Sequence, residues 1–180
     1  TWSIGFKGSE DLKFAEQVAN HIGSNHHSIV VEPSVFLNAI ERVIYDIESY
    51  DTTTVRASVG NWLISKYIKK QSKAKVVFNG DGSDELTGGY LYFHYIRDPL
   101  LFDKECRRLL TDISYFDVLR SDRSISSHGL EARTPFLDKQ FVDLYLSIPP
   151  KKRCHTTQGF CEKYLLRSAF DNKLIPDSVL

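Results

Sequence analysis

The first 79 residues alternate between two hydrophobic periods, and this alternation restricts the chain to few architectures. Trp2-Ser3-Ile4-Gly5-Phe6 has the period of two of a short strand and stops at Gly8-Ser9. Leu12, Ala15, Val18, Ala19 and Ile22 then recur at helical spacing, with Gly23 placed as a C-cap glycine. His27 to Val31 reads as a second strand. Pro33-Ser34 opens a helix whose Val35, Phe36, Ala39, Ile40, Val43, Ile44 and Ile47 form one apolar stripe. A polar hinge over Ser49 to Thr54 precedes a further helix carrying Val55, Val59, Leu63 and Tyr67, and Lys75 to Asn79 is a third, apolar and buried strand. This order predicts an α/β fold with a parallel sheet joined by right-handed crossovers. From about residue 84 the pattern turns helical, broken at Pro99, Pro135 and Pro149-Pro150, which predicts a following α-helical lobe.

Composition narrows the function. The 180 residues carry 23 Lys and Arg against 23 Asp and Glu, without the basic excess of a nucleic-acid or membrane-surface binder. Apolar residues make up 42% and charged ones 26%, a globular mix, and no apolar run reaches the roughly 18 residues of a membrane span. Cys106, Cys154 and Cys161 stand in no metal or disulfide spacing, which points to the reducing cytoplasm. The chain has no methionine and opens at Thr1 directly into a strand, which reads as a piece of a longer protein.

Chemistry concentrates in three clusters. Asn79-Gly80-Asp81-Gly82-Ser83-Asp84-Glu85, followed by Gly88-Gly89-Tyr90, leaves the carboxyl end of the third strand, where open α/β sheets bind ligands. Glycines admit a ligand close to backbone N–H groups, and the carboxylates suit a hard cation such as Mg²⁺. An EF-hand is excluded because its required sixth-position glycine is Asp84 and its twelfth-position glutamate is Tyr90. The second cluster, Tyr50 to Ser58, places Thr52, Thr53, Thr54 and Arg56 at a helix start, a natural anion site. Simple N-capping by a threonine with Arg56 solvated accounts for it equally well. The third contains Asp117 and Arg120, three apart as in a helical surface pair, and His128 to Asp138. Glu131 with Arg133 as a structural ion pair and Asp138 as an N-cap are the plainer readings there. The six histidines show no ligand spacing, and the basic runs Lys66 to Lys75 and Lys151-Lys152-Arg153 read as solvated faces.

Taken in order, these blocks resemble the C-terminal synthetase domain of the glutamine-hydrolysing asparagine synthetase family. The likeness runs from Ser3-Ile4-Gly5-Phe6 through Tyr50–Ser58, Asn79–Tyr90 with Leu91-Tyr92-Phe93-His94, Phe116–Arg120 and His128–Asp138. It continues through Ile148-Pro149-Pro150, Glu162–Arg167 and Ile175-Pro176. The resemblance implies an adenine-nucleotide α-hydrolase (ATP-pyrophosphatase) fold, with residues 1–90 as the nucleotide-binding part and 91–180 as the helical lobe. It implies that ATP and aspartate give β-aspartyl-AMP and pyrophosphate, and that ammonia drawn from glutamine then gives asparagine and AMP. Ile4 would line the adenine pocket, Asn79 and Gly80 would contact the nucleotide, and Asp84 would bind Mg²⁺. Thr53, Thr54 and Arg56 would bind the pyrophosphate and substrate region, Asp117 and Arg120 match functional polar positions of the helical lobe, and Asp81 takes the place of the family's catalytic glutamate. A homodimer is an assembly the resemblance leaves open for the full-length parent.

Three departures qualify this. The family's loop reads Ser-Gly-Glu where this chain has Asn79-Gly80-Asp81, one methylene shorter at the carboxylate. The Ser-Gly-Gly-x-Asp-Ser pyrophosphate loop and the glutaminase domain would precede Thr1, and a lysine-containing segment would follow Leu180. The 180 residues alone are therefore expected to be inactive. A β-lactam-synthetase-like ligase and a degenerate, nucleotide- or partner-binding paralogue are the alternative readings.

Overall fold

Strand β1 (Trp2–Gly5) pairs in parallel with β2 (His27–Val30), with Ile4 opposite Ile29, in a computed structural model that describes residues 1–157, 159–170, 174–176 and 178–179. Helix α1 (Glu10–His21) makes the crossover between them, and Gly23 ends it at φ +65°. His26 bonds the Ser3 hydroxyl at 3.1 Å and the His27 ring stacks on Trp2 at 4.1 Å, so both serve the strand pair.

Helix α2 (Pro33–Ile47) starts with proline at its first position, where the missing N–H leaves no helical bond unmade. Helix α3 (Thr52–Gln71) starts inside the expected hinge, because the Asp51 carboxylate accepts from the Thr54 N–H at 2.8 Å and caps it. Ala39, Val43 and Ile47 of α2 bury against Val55, Val59, Trp62 and Leu63 of α3, with Ile4 and Phe36 at the margin. Trp62 Nε1 donates to Asp46 across the two helices at 2.7 Å. The far end of α3 contributes Ile68 to a second cluster with Ile125 and Leu130, against which Trp2, Val77 and Ala132 pack.

The chain divides into two compact units, one of residues 1–77, 120–132 and 171–180, the other of 78–119 and 133–170. In place of one sheet through the first three strands, β3 (Val76–Phe78) pairs with β4 (Glu131–Arg133). The Glu131 N–H donates to Lys75 O and the Asn79 N–H to Arg133 O, so the pair advances in parallel. β3 is also less buried than its apolar sequence predicts, with Phe78 77% exposed. Only three residues pair with one short neighbour, and Val77 alone turns into the apolar cluster.

The second unit is helical: α4 (Ser83–Thr87), α5 (Pro99–Asp112), the start of α6 (Asp117–Ser126), α7 (Lys139–Ser147), α8 (Pro150–Arg153) and α9 (Tyr164–Ala169). Its core is Phe93, Phe102, Cys106 and Cys154, all fully buried. Asp138 caps α7 through the Phe141 N–H at 3.0 Å. Arg153 corrects the expectation of a solvated basic run: it is buried, paired with Asp103, and donates to Ile148 O at 2.8 Å. The three cysteines are free, and burial pushes the Cys106 thiol up to about 12. Among the described residues no helix is long and apolar enough to cross a membrane.

Candidate functional site

The loop that follows β3 is built by its own side chains. The Asp81 N–H donates to Asn79 Oδ1 at 3.2 Å, folding the chain back two residues on, and the Ser83 N–H reaches Gly80 O at 3.3 Å. Gly82 stands at φ +88° before α4, and a Cβ there would collide with the Leu137 side chain, so only glycine fits. Gly88 ends α4 at φ +70° directly against the Phe102 ring. The five residues of α4 are thus fixed at both ends, and they carry Asp84 and Glu85 in their first turn.

The two carboxylates face different surroundings. Asp84 is half-exposed, and its Oδ1 lies 2.9 Å from Lys163 Nζ, which also stands 3.5 Å from the Ser83 hydroxyl. Glu85 is buried and accepts from the Tyr90 hydroxyl, which is itself 3.4 Å from Asp117 Oδ2. Burial raises the Glu85 carboxyl above the usual carboxylate range, against the bond from Tyr90. Burial also raises the Tyr90 hydroxyl, and the neighbouring Glu85 adds to it. The phenol therefore stays protonated between two carboxylates.

The expected residues fall into both units. Asn79, Gly80, Asp81, Asp84 and Asp117 belong to the second, where the loop and α4 hold the first four in one stretch and Tyr90 links Asp117 to Glu85. Ile4, Thr53, Thr54, Arg56 and Arg120 belong to the first. There Ile4 is half-buried against the α2–α3 core. Thr54 is buried and gives its N–H to Asp51, whose carboxyl that bond holds below the usual range, while Thr53 and Arg56 are exposed on the first turn of α3. Arg56 and Thr52 line a groove of about 480 Å³ otherwise walled by apolar side chains, Phe36, Ile40, Ile44 and Val55 among them. Glu131 and Arg133 lie exposed on one face of β4.

Two residues of this arrangement, Tyr90 and Lys163, carry no role in the sequence reading, and Glu85 enters it only as one of the loop carboxylates that suit a hard cation. Nothing in the order of residue types marks Glu85 as buried, since acids in a first helical turn usually face solvent. Lys163 lies 79 positions after Asp84 in the chain, beyond the reach of any local pattern. Its one local sign is conformational: it holds φ +59°, which side-chain-bearing residues adopt sparingly. Among the described residues no group of three or more His, Cys, Asp or Glu is placed to cage a metal. A cation here would rest on Asp84 and on oxygens of a bound ligand, the usual way Mg²⁺ is held.

The family model described as asparagine synthase matches residues 1–101 and 96–180. The asparagine synthetases [glutamine-hydrolyzing] of Bos taurus and Homo sapiens are each 49% identical over 181 aligned residues, and that of Gallus gallus 48%. Each match covers 100% of this chain but 32% of the relative, so the chain spans about a third of the length of these curated relatives.

Proposed function

The chain belongs to the asparagine synthase family, and on that premise we propose that it supplies part of the synthetase site of an ATP-dependent, glutamine-hydrolysing asparagine synthetase with the ATP-pyrophosphatase fold. The aspartate β-carboxylate attacks the α-phosphorus of ATP, the bond to pyrophosphate breaks, and β-aspartyl-AMP forms. Ammonia then attacks the acyl carbon, loses a proton, and AMP leaves with the bonding electrons to give asparagine. The observation that carries this reading is the loop after β3, which presents backbone groups, Asp81 and Asp84, the last in contact with the Lys163 ammonium group, at the carboxyl end of a parallel strand.

The residues divide the work by their chemistry. Ile4 offers an apolar surface for adenine, and backbone groups of Asn79 and Gly80 contact the nucleotide. Asp84 would hold Mg²⁺: its carboxylate is accessible and already carries an ammonium group at 2.9 Å, so the position accepts positive charge. When bound, the ion neutralises charge developing on the departing pyrophosphate. Thr53 and Thr54 at the positive end of α3 and the forked donors of Arg56 suit oxyanions such as those of pyrophosphate or a carboxylate. Asp117 and Arg120 orient the reactants, and Asp81 accepts the proton released at the ammonia step. The three free cysteines fit a reducing compartment such as the cytoplasm.

Aspartate-dependent exchange of labelled pyrophosphate into ATP by the full-length protein tests the first step, and chromatographic identification of asparagine tests the second. Exchange that needs aspartate, with asparagine as product, is the expected result. Exchange driven by a different carboxylate, or none with any, would sink the proposal.

A further inference from the structure

Three features far apart in the chain converge on one contact. Lys163, the residue before α9, holds the left-handed conformation at φ +59°, which is sterically disfavoured for a long side chain and persists only where the surroundings impose it. Its Nζ lies 2.9 Å from Asp84 Oδ1. Gly89 leaves the space for both groups: a Cβ there would stand 2.7 Å from Lys163 Cε and would strike the Asp84 carboxylate. The bridge is nevertheless accessible, with the Lys163 and Asp84 side chains 25% and 36% exposed, so it can open without uncovering core.

We propose that Lys163 is a competing counter-ion for Asp84, holding the carboxylate with its ammonium group until a divalent cation displaces it. This rests on the reading of Asp84 as the metal-binding aspartate. An ammonium and a divalent cation repel one another at a single carboxylate, so one must leave as the other arrives. The lysine's four-carbon stem lets its charge swing into solvent while the backbone stays in place. In the metal-free state the lysine offsets the negative charge that Asp81, Asp84 and Glu85 bring into five residues. Because Lys163 also opens α9, arrival of the metal at α4 is felt at the start of that helix.

Mn²⁺ titration of the full-length protein with and without a saturating non-hydrolysable ATP analogue, followed by loss of the free-ion electron paramagnetic resonance signal and corrected for Mn²⁺ held by the analogue alone, reads this without turnover. The panel is wild type, Lys163→Met, Lys163→Arg, Asp84→Asn and the double variant Asp84→Asn with Lys163→Met, each checked for native circular dichroism. Lys163→Met binds Mn²⁺ about fivefold more tightly, the scale of one accessible ion pair removed from the competition, and Lys163→Arg stays within about twofold of wild type. Asp84→Asn removes the site, and in that background Lys163→Met changes nothing. Unchanged or weaker binding by Lys163→Met, with Asp84→Asn still abolishing it, overturns the competition and leaves the metal assignment standing. If Asp84→Asn binds Mn²⁺ like wild type, the metal assignment itself falls and the competition with it. Lys163→Gln replaces the methionine variant should that one misfold, with the same outcomes.

Discussion

Asp81 tests how finely the second step depends on reach. Its backbone is fixed by the bond to Asn79 Oδ1, so the carboxylate cannot advance toward a substrate by shifting the loop. A glutamate side chain on the same backbone extends one methylene further, and a misplacement of roughly 1 Å at a reacting centre can cost about 100-fold in rate. Asp81→Ala is expected to leave aspartate-dependent pyrophosphate exchange in place while cutting asparagine formation by about 10² to 10⁴, the range for losing a general base. Asp81→Glu, at the family's side-chain length, is expected to form asparagine at least as fast as wild type. Parallel assays of exchange and product separate the two steps. If Asp81→Ala loses both in proportion, the carboxylate acts before the ammonia step and the assignment is wrong. Asp84 lies only three positions on, yet it faces Lys163 instead.

At the scale of elements, the helix pair α2–α3 carries most of the first unit's core and is the place to test its cohesion. Trp62 is 6% exposed and its indole N–H is satisfied by Asp46, which also bonds Arg42 at 2.9 Å on its own helix. Trp62→Phe removes one hydrogen bond to a charged acceptor and some ring area, and is expected to cost the first unit about 2 to 3 kcal/mol in urea unfolding. Asp46→Asn keeps an acceptor oxygen for the indole and is expected to cost less than half as much. Equal losses would show that the charge on Asp46, rather than the indole bond, holds the helices.

This pair also shows what the sequence discloses and what it hides. The α2 stripe was legible because one helix face is buried: Ala39, Val43 and Ile47 go in, and Ile40 and Ile44 sit at its exposed margin. The α3 stripe was half legible. Trp62 and Ile68 are buried where Tyr67 was expected, and Ser58 and Ser65 are buried too, because α3 is covered on more than one face and a buried-all-round helix has no single stripe. β4 is hidden in the sequence, since Glu131-Ala132-Arg133 has no β-branched or aromatic residue and three positions are too few for its alternation to stand out, so it becomes a strand only through pairing with β3. The glycine-rich loop was legible from its residue types, whereas the Lys163–Asp84 and Tyr90–Glu85 contacts depend on tertiary packing.

At the scale of the whole molecule, each unit holds one histidine, buried in the second and half-buried in the first, in a way that ties its stability to pH. In the second unit His155 is buried, its two ring nitrogens have no hydrogen-bond partner among the described residues, and its neighbours are the His94 and Phe102 rings. Burial lowers its pKa below the usual 6.5, and the adjacent His94 adds to this. In the first unit His128 sets its ring against Trp62 at 4.8 Å, and burial lowers its pKa too, with Asp46 opposing. A histidine with a depressed folded pKa binds its proton more readily when unfolded. Each unit therefore keeps its full stability above pH 6.5 and loses it as pH falls below that value toward the folded pKa. The slope is at most about 1.4 kcal/mol per pH unit for each proton taken up. Asp103, lowered by Arg107 and Arg153 against the effect of burial, works in the same direction only in the acid range below the usual carboxylate value, so the two windows separate. Urea midpoints are expected to hold from pH 7.5 to about 6.5 and to fall from there to pH 5.5. His155→Phe, which fills the apolar space without the unpartnered nitrogens, should flatten the second unit's dependence and leave the first unit's intact. Fluorescence from Trp2 and Trp62, both in the first unit, follows that unit, while circular dichroism follows both. If His155→Phe leaves the slope seen by circular dichroism unchanged, protonation of His155 is not what loosens the second unit.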